Sequence, residues 1–123
     1  MRILTGIDLP FLPSCGSIIL CNELYASSNL KDIEVRFLGL TTNEGSNWSK
    51  IKDVALLNIN KNSSPEHFVE YKKKLIDRVE YHVKEFKPDV IHIQHLSFGL
   101  ALAFATFTQI PKIAICHGTG ILF

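Results

Sequence analysis

Short apolar runs alternate along the chain with longer stretches in which apolar residues recur at helical spacing, a pattern that predicts strands alternating with helices. Arg2 to Ile7 is the first run, bounded by Asp8 and Pro10, and reads as a buried strand. A loop with two prolines leads to Gly16, after which Ser17 is placed to cap a helix with Ile18, Cys21, Leu24 and Tyr25 on one face. Ile33 to Leu40 alternates as a second strand, and Val54 to Ile59 makes a third. Ser63 and Glu66 then form a capping box, with Pro65 where a first-turn proline is tolerated. The helix that follows carries Phe68, Leu75, Val79, Val83 and Phe86 on one stripe and ends at Lys87-Pro88. Asp89 to Gln94 is apolar enough to be a central strand. Residues 97–108 form a helix with no clear polar face, expected to be buried on more than one side. Lys112 to Cys116 is a fifth strand, closed by His117-Gly118-Thr119-Gly120.

This alternation implies a single α/β domain over 1–123: a Rossmann-like parallel sheet with helices on both faces and strand order 3-2-1-4-5. At 123 residues the chain can bury one core. A hydrophobic content of 46% with 20% charged residues is that of a soluble globule. The formal charge of +1 offers no field for nucleic acid, and the Lys72, Lys73, Lys74 run is flanked by Glu66, Glu70 and Asp77, as on a solvated helix face. Three cysteines without a CxxC pair (Cys15, Cys21, Cys116) suggest reduced thiols and a cytoplasmic setting. Leu12-Pro13-Ser14-Cys15 resembles a lipoprotein cleavage site, but Asp8, Pro10 and Pro13 interrupt the apolar run a leader needs. No apolar run approaches the roughly 18 residues of a membrane span.

Ligands of an open doubly wound sheet bind beyond the carboxyl ends of the strands, where the strand order reverses. Three features fall there: the loop ending at Gly16, His95 just past the fourth strand, and His117 at the end of the fifth. A residue without Cβ before a helix start lets a phosphate approach backbone N–H groups, although a turn alone would also use Gly16. Neutral imidazole donates one hydrogen bond and accepts another, which suits a sugar hydroxyl or a phosphate oxygen. His67 and His82 read as surface or half-buried residues on the long helix, and His92 as a satisfied core histidine. A zinc site from His92, His95 and His117 matches no usual spacing, and strand alternation would turn His92 and His95 to opposite sides. The chain has neither a dinucleotide glycine fingerprint nor a P-loop, so no cofactor is expected, and it lacks the G-x-S-x-G elbow an esterase would need.

Met1-Arg2-Ile3-Leu4 with the loop to Gly16, Pro88-Asp89-Val90-Ile91-His92-Ile93-Gln94-His95, and Ile110-Pro111-Lys112-Ile113-Ala114-Ile115-Cys116-His117-Gly118-Thr119 together resemble the N-terminal domain of family-4, retaining GT-B glycosyltransferases. The resemblance implies hexosyl transfer from a nucleotide-sugar to a glycan or lipid acceptor. It implies that the loop ending at Gly16 approaches the donor diphosphate and that His117 positions the donor sugar as the catalytic residue. Gln94 or His95 would line the acceptor side, with Gly118 and Thr119 among the substrate contacts. Many members carry His-x-His in the fourth strand, whereas Gln94 stands at the second histidine position here and His95 follows it. The family's second, nucleotide-binding domain has no counterpart in these 123 residues. The expectation is therefore a truncated acceptor-side half, weakly active or inactive alone. Its apolar 97–107 helix and Ile121-Leu122-Phe123 would be covered by a homodimer or a separate C-terminal subunit. A non-catalytic oligomerising or binding domain is the alternative, and an unrelated Rossmann-like enzyme using His95 and His117 as acid–base groups is a third.

Overall fold

In the computed structural model, which describes residues 1–41, 48–62, 64–95 and 99–115, the chain forms five parallel strands and three α-helices. They follow as β1 (Arg2–Gly6), α1 (Gly16–Leu24), β2 (Glu34–Gly39), β3 (Asp53–Leu56), α2 (Phe68–Phe86), β4 (Val90–Gln94), α3 (Gly99–Ala105) and β5 (Lys112–Ile115), with a short 3₁₀ turn at Ser27–Asn29. The strand order is β3-β2-β1-β4-β5, as the alternation predicts. β1 is central: Ile3 lies opposite Val35 on one side and Val90 on the other, and Gly6 opposite Leu38 and Ile93.

Successive strand residues point to opposite faces, so each strand feeds two cores. Ile3, Val35 and Phe37 pack with Ile18 and Cys21 of α1 and with Tyr25, its C-cap. Leu4, Leu38, Ile91 and Ile93 pack on the other face with Tyr71, Leu75 and Val79 of α2 and Leu100 and Phe104 of α3. Gly6 is required by this close packing, because a Cβ there would lie 2.4 Å from the Leu38 carbonyl oxygen.

Several local expectations are corrected. The buried face of α1 is Ile18, Cys21, Asn22 and Tyr25, while Leu24 is 48% exposed. Asn22 takes the inward position because its Oδ1 accepts the Lys50 backbone N–H at 2.8 Å, tying α1 to the segment before β3. Ser17 does not cap α1: Cys15, extended at φ −90°, is the N-cap, with no side-chain cap bond. The start of α2 is at Phe68 rather than at the proposed capping box. Glu66 and Pro65 lie in a preceding turn where Ser64 Oγ meets His67 Nδ1 at 3.0 Å, and Ser63 is outside the described residues. The end of α2 is as expected, with Lys87 in the left-handed region donating its N–H to Val83. Of the helix expected over 97–108, α3 spans Gly99–Ala105 and buries Gly99, Leu100, Ala101, Ala103 and Phe104, with contacts to α2 and β4 among the described residues, while Leu102 is 42% exposed.

Candidate functional site

The loop from β1 to α1 is held to the sheet rather than left open. Phe11 is fully buried, tilted on Phe37 and stacked on Trp48 at 4.7 Å. Its N–H donates to Thr41 at 2.7 Å, and Leu40 N–H donates to Leu9 at 3.0 Å. This anchoring fixes where α1 begins. Gly16 is its first residue, exposed, with negative φ and nothing within 4 Å of where a Cβ would stand. Nothing in the described chain therefore requires glycine at that position. The absence of a side-chain cap leaves the positive end of the helix open.

His95 leaves β4 in the left-handed region at φ 49°. The turn swings its side chain to the α1 side, where it is only 5% exposed and its Nε2 lies 2.5 Å from Ser17 Oγ. Strand alternation alone would send His92 and His95 apart. The left-handed residue overrides it, and His92 and His95 both reach residues of the α1 segment. The hydroxyl expected to cap the helix instead joins α1 to the end of β4. Gly16, Ser17 and His95 thus meet between β1 and β4, where the strand order reverses.

Gln94 sits beside them but points inward. Only 2% exposed, it donates from Nε2 to Thr5 Oγ1 at 3.1 Å and to Tyr25 Oη at 2.8 Å. Thr5 Oγ1 donates in turn to the His92 carbonyl, and Tyr25 Oη meets His92 Nδ1 at 2.8 Å. With Gln94 donating to it, the Tyr25 hydroxyl has its own proton for His92 Nδ1, so the neutral imidazole carries its proton on Nε2. Burial lowers the His92 pKa in keeping with that state, and pushes Tyr25 up to about 12. His117, Gly118 and Thr119 lie outside the described residues.

Two residues that pattern reading passes over pair on the α2 side of the sheet, beyond the end of β1. Asp8, directly after the β1 run, is 1% exposed, and its Oδ2 accepts from Tyr71 Oη at 3.0 Å. Desolvation raises its pKa despite the lowering influence of Lys61 and of hydrogen bonds from Tyr71 and the Leu100 backbone. Among the described residues Asp8 Oδ1 has no hydrogen-bond partner, so burial weighs on this oxygen without a compensating bond. An acidic residue at the end of an otherwise buried strand is the signal that could have singled it out. Among the described residues, no group of three His, Cys, Asp or Glu side chains could hold a metal ion, and no helix is long and apolar enough to cross a membrane.

No protein-family model matches the chain, and no curated protein matches its sequence. Solved structures do match its fold. UDP-GlcNAc 2-epimerase from Neisseria meningitidis, bound to UDP-GlcNAc, is similar at TM-score 0.67 and 19% identity over 94% of this chain. S. aureus MnaA, solved with UDP, is similar at TM-score 0.63 and 19% identity over 93%. The glycotransferase of kitacinnamycin is similar at TM-score 0.58 and 17% identity over 94%. The chain carries a GT-B-type Rossmann-like fold. It spans only 31%, 28% and 30% of the lengths of those three chains.

Proposed function

We propose that this chain is the acceptor-side half of a sugar-nucleotide-dependent glycosyltransferase, working opposite a nucleotide-binding domain on the same polypeptide or on a partner. The observation that carries the reading is the meeting of an uncapped helix start at Gly16 with His95 at the strand-order reversal. The open space over Gly16 supports it, since a diphosphate approaching that helix end would meet no Cβ. The likeness to UDP- and UDP-GlcNAc-bound structures supports a sugar-nucleotide as the ligand class. The sequence resemblance to family-4 transferases supports transfer with retention, with His117 as the residue that positions the donor sugar and Gly118 and Thr119 beside it.

The chemistry of such a site is electrostatic: backbone N–H groups and the helix end stabilise charge developing on the leaving diphosphate. One wall cannot exclude water or hold the donor tightly, so turnover by this chain alone is expected to be weak or undetectable. Epimerisation at the sugar is a second reading, favoured by the likeness to 2-epimerases. Incubation with UDP-GlcNAc and a glycan acceptor, with and without a nucleotide-binding domain supplied in trans, separates these readings. Transfer predicts a new glycoside and released UDP only when both domains are present. A 2-epimer of the donor as the sole product would replace transfer by epimerisation, and robust transfer by the chain alone would overturn the half-site reading.

A further inference from the structure

Away from the contact of the α1 start with His95, a cleft of about 760 Å³ opens between the segment that follows β3 and the first turns of α2. Beyond β3 the chain stays bonded to the end of β2, with Leu57 N–H donating to the Gly39 carbonyl and Asn58 N–H, its residue turned left-handed at φ 56°, to the Leu40 carbonyl. Leu57 and Ile59 are buried under it, while Asn58 and Asn60 are exposed and line the cleft. The opposite wall is α2, which presents Glu70, Tyr71, Lys74 and Asp77.

Both walls are fixed by bonds of their own. Arg78 Nη1 donates to the Leu57 carbonyl at 3.0 Å, fastening α2 to the post-β3 segment. Tyr71, at the cleft floor, is pinned to Asp8 at 3.0 Å, which connects the cleft rigidly to the end of β1. Asn62 Oδ1 accepts from the backbone N–H and the hydroxyl of Ser64 and holds the far corner. What these bonds leave facing the open volume is a set of planar polar groups. Among the described residues the Asn58 and Asn60 amides and the Asp77 carboxylate have no side-chain partner.

The chemistry of that set selects a ligand class. An amide offers a donor and an acceptor side by side, and a carboxylate adds two acceptors, as neighbouring hydroxyls require. An anionic ligand would want uncompensated cations. Here the three cations Lys61, Lys74 and Arg78 are matched by Glu70 and Asp77 in the lining and by Asp8, which Tyr71 contacts from the floor, with Lys74 3.7 Å from Glu70 and Lys61 acting electrostatically on Asp8. An apolar ligand would find little to bury against, since among the described residues the floor carries only Ile59 and the Tyr71 ring as apolar groups. We infer that the cleft between Asn58–Asn62 and the first turns of α2 is a subsite for an uncharged glycan, whose hydroxyls are held by Asn58, Asn60 and Asp77. This deepens the transfer reading by naming the acceptor class and its seat, and it rests on that reading for the word acceptor alone. Glycan binding in the cleft is measurable without any transfer.

The test uses the full chain, isotopically labelled, titrated with chitotriose, cellotriose and maltotriose in one series and with UDP-GlcNAc in another, followed by backbone and side-chain amide signals. At least one trisaccharide is expected to move the Asn58 and Asn60 signals together with those of the first turns of α2. The solvent-exposed substitution Asn60→Ala is expected to weaken that binding about tenfold, the equivalent of one lost hydrogen bond of ordinary strength. Asp77→Asn, which keeps shape and an acceptor, is expected to weaken it less than Asp77→Ala. The inference is overturned if no trisaccharide moves these signals, if the shifts fall around Gly16 and His95 instead, or if Asn60→Ala binds as the parent does. Glycan binding in the cleft with no response to UDP-GlcNAc would uphold this inference and remove the sugar-nucleotide reading. A UDP-GlcNAc response with no glycan response would do the reverse.

Discussion

Two glycines of this fold should respond to the same substitution with opposite signs, and the contrast separates packing from ligand contact. At Gly6 a Cβ would meet the Leu38 carbonyl oxygen at 2.4 Å and Leu38 Cβ at 2.8 Å, both on the neighbouring strand of the central pair. Backbone cannot yield there without moving β1 from β2, so Gly6→Ala is expected to destabilise by about 1–3 kcal/mol or to prevent folding. At Gly16 a Cβ would meet nothing within 4 Å, and the backbone φ is negative, so alanine fits without strain. Gly16→Ala should therefore raise stability by about 0.4–1 kcal/mol, mostly by restricting the unfolded chain. If a diphosphate docks on the α1 start, the same methyl stands in its path. Losing one charge-assisted bond there costs about 1.5–3 kcal/mol, a fall of roughly tenfold or more in UDP affinity. Urea unfolding gives the first number and UDP titration the second. A Gly16→Ala variant that is more stable and binds UDP as tightly as the parent would refute the assignment of Gly16 to the donor. One that is less stable would refute the account of its backbone.

Further predictions concern the buried polar groups. Tyr25→Phe removes the hub between Gln94 and His92 without changing shape, and should lower stability by about 1–3 kcal/mol through the donor and acceptor it strands; urea unfolding with a loss under about 0.5 kcal/mol would contradict the network. The lowered pKa of His92 and of His82, burial being the first cause for each, means that the folded state binds fewer protons than the unfolded one just below pH 6.5. Stability is therefore full above pH 6.5 and is lost as pH falls through the lowered folded-state values, and His92→Gln should flatten part of that slope in thermal melts. Asp8 has the opposite sign: its raised pKa means that the folded state holds the proton longer, so stability falls as pH rises from 3.8 through the folded-state value. Asp8→Asn should keep the acceptor for Tyr71 and remove that slope, and an unchanged pH profile would show that the carboxyl is not retained as an acid.

The strand order could be read from the sequence because each strand is a short apolar run separated by a helical period or a polar loop, and parallel crossovers leave few ways to join them. The rim of the site was legible to the extent that Gly16 and His95 both end up at the strand-order reversal. What pattern could not supply was side-chain direction at single residues. His95 faces α1 only because its backbone turns left-handed, which no alternation rule anticipates. Ser17 looks like a cap, but its hydroxyl serves a contact 78 positions away. Gln94 looks like a ligand contact at a strand end, yet its amide hydrogens are engaged with Thr5 and Tyr25, partners 89 and 69 positions distant. Asp8 and Tyr71 were missed for the same reason, their bond spanning 63 positions. Long-range pairings of this kind become visible only when the sheet has brought the elements together.

The central claim is that the start of α1, beside His95 at the strand-order reversal, receives the diphosphate of a sugar-nucleotide. Mapping the amide shifts of the intact chain on titration with UDP tests it most directly. The account predicts weak binding, with a Kd of about 1 mM or weaker because one wall is supplied, and shifts centred on Gly16, Ser17, Ile18 and His95. Shifts centred on any other part of the sheet, or none at UDP concentrations well above that value, would contradict it.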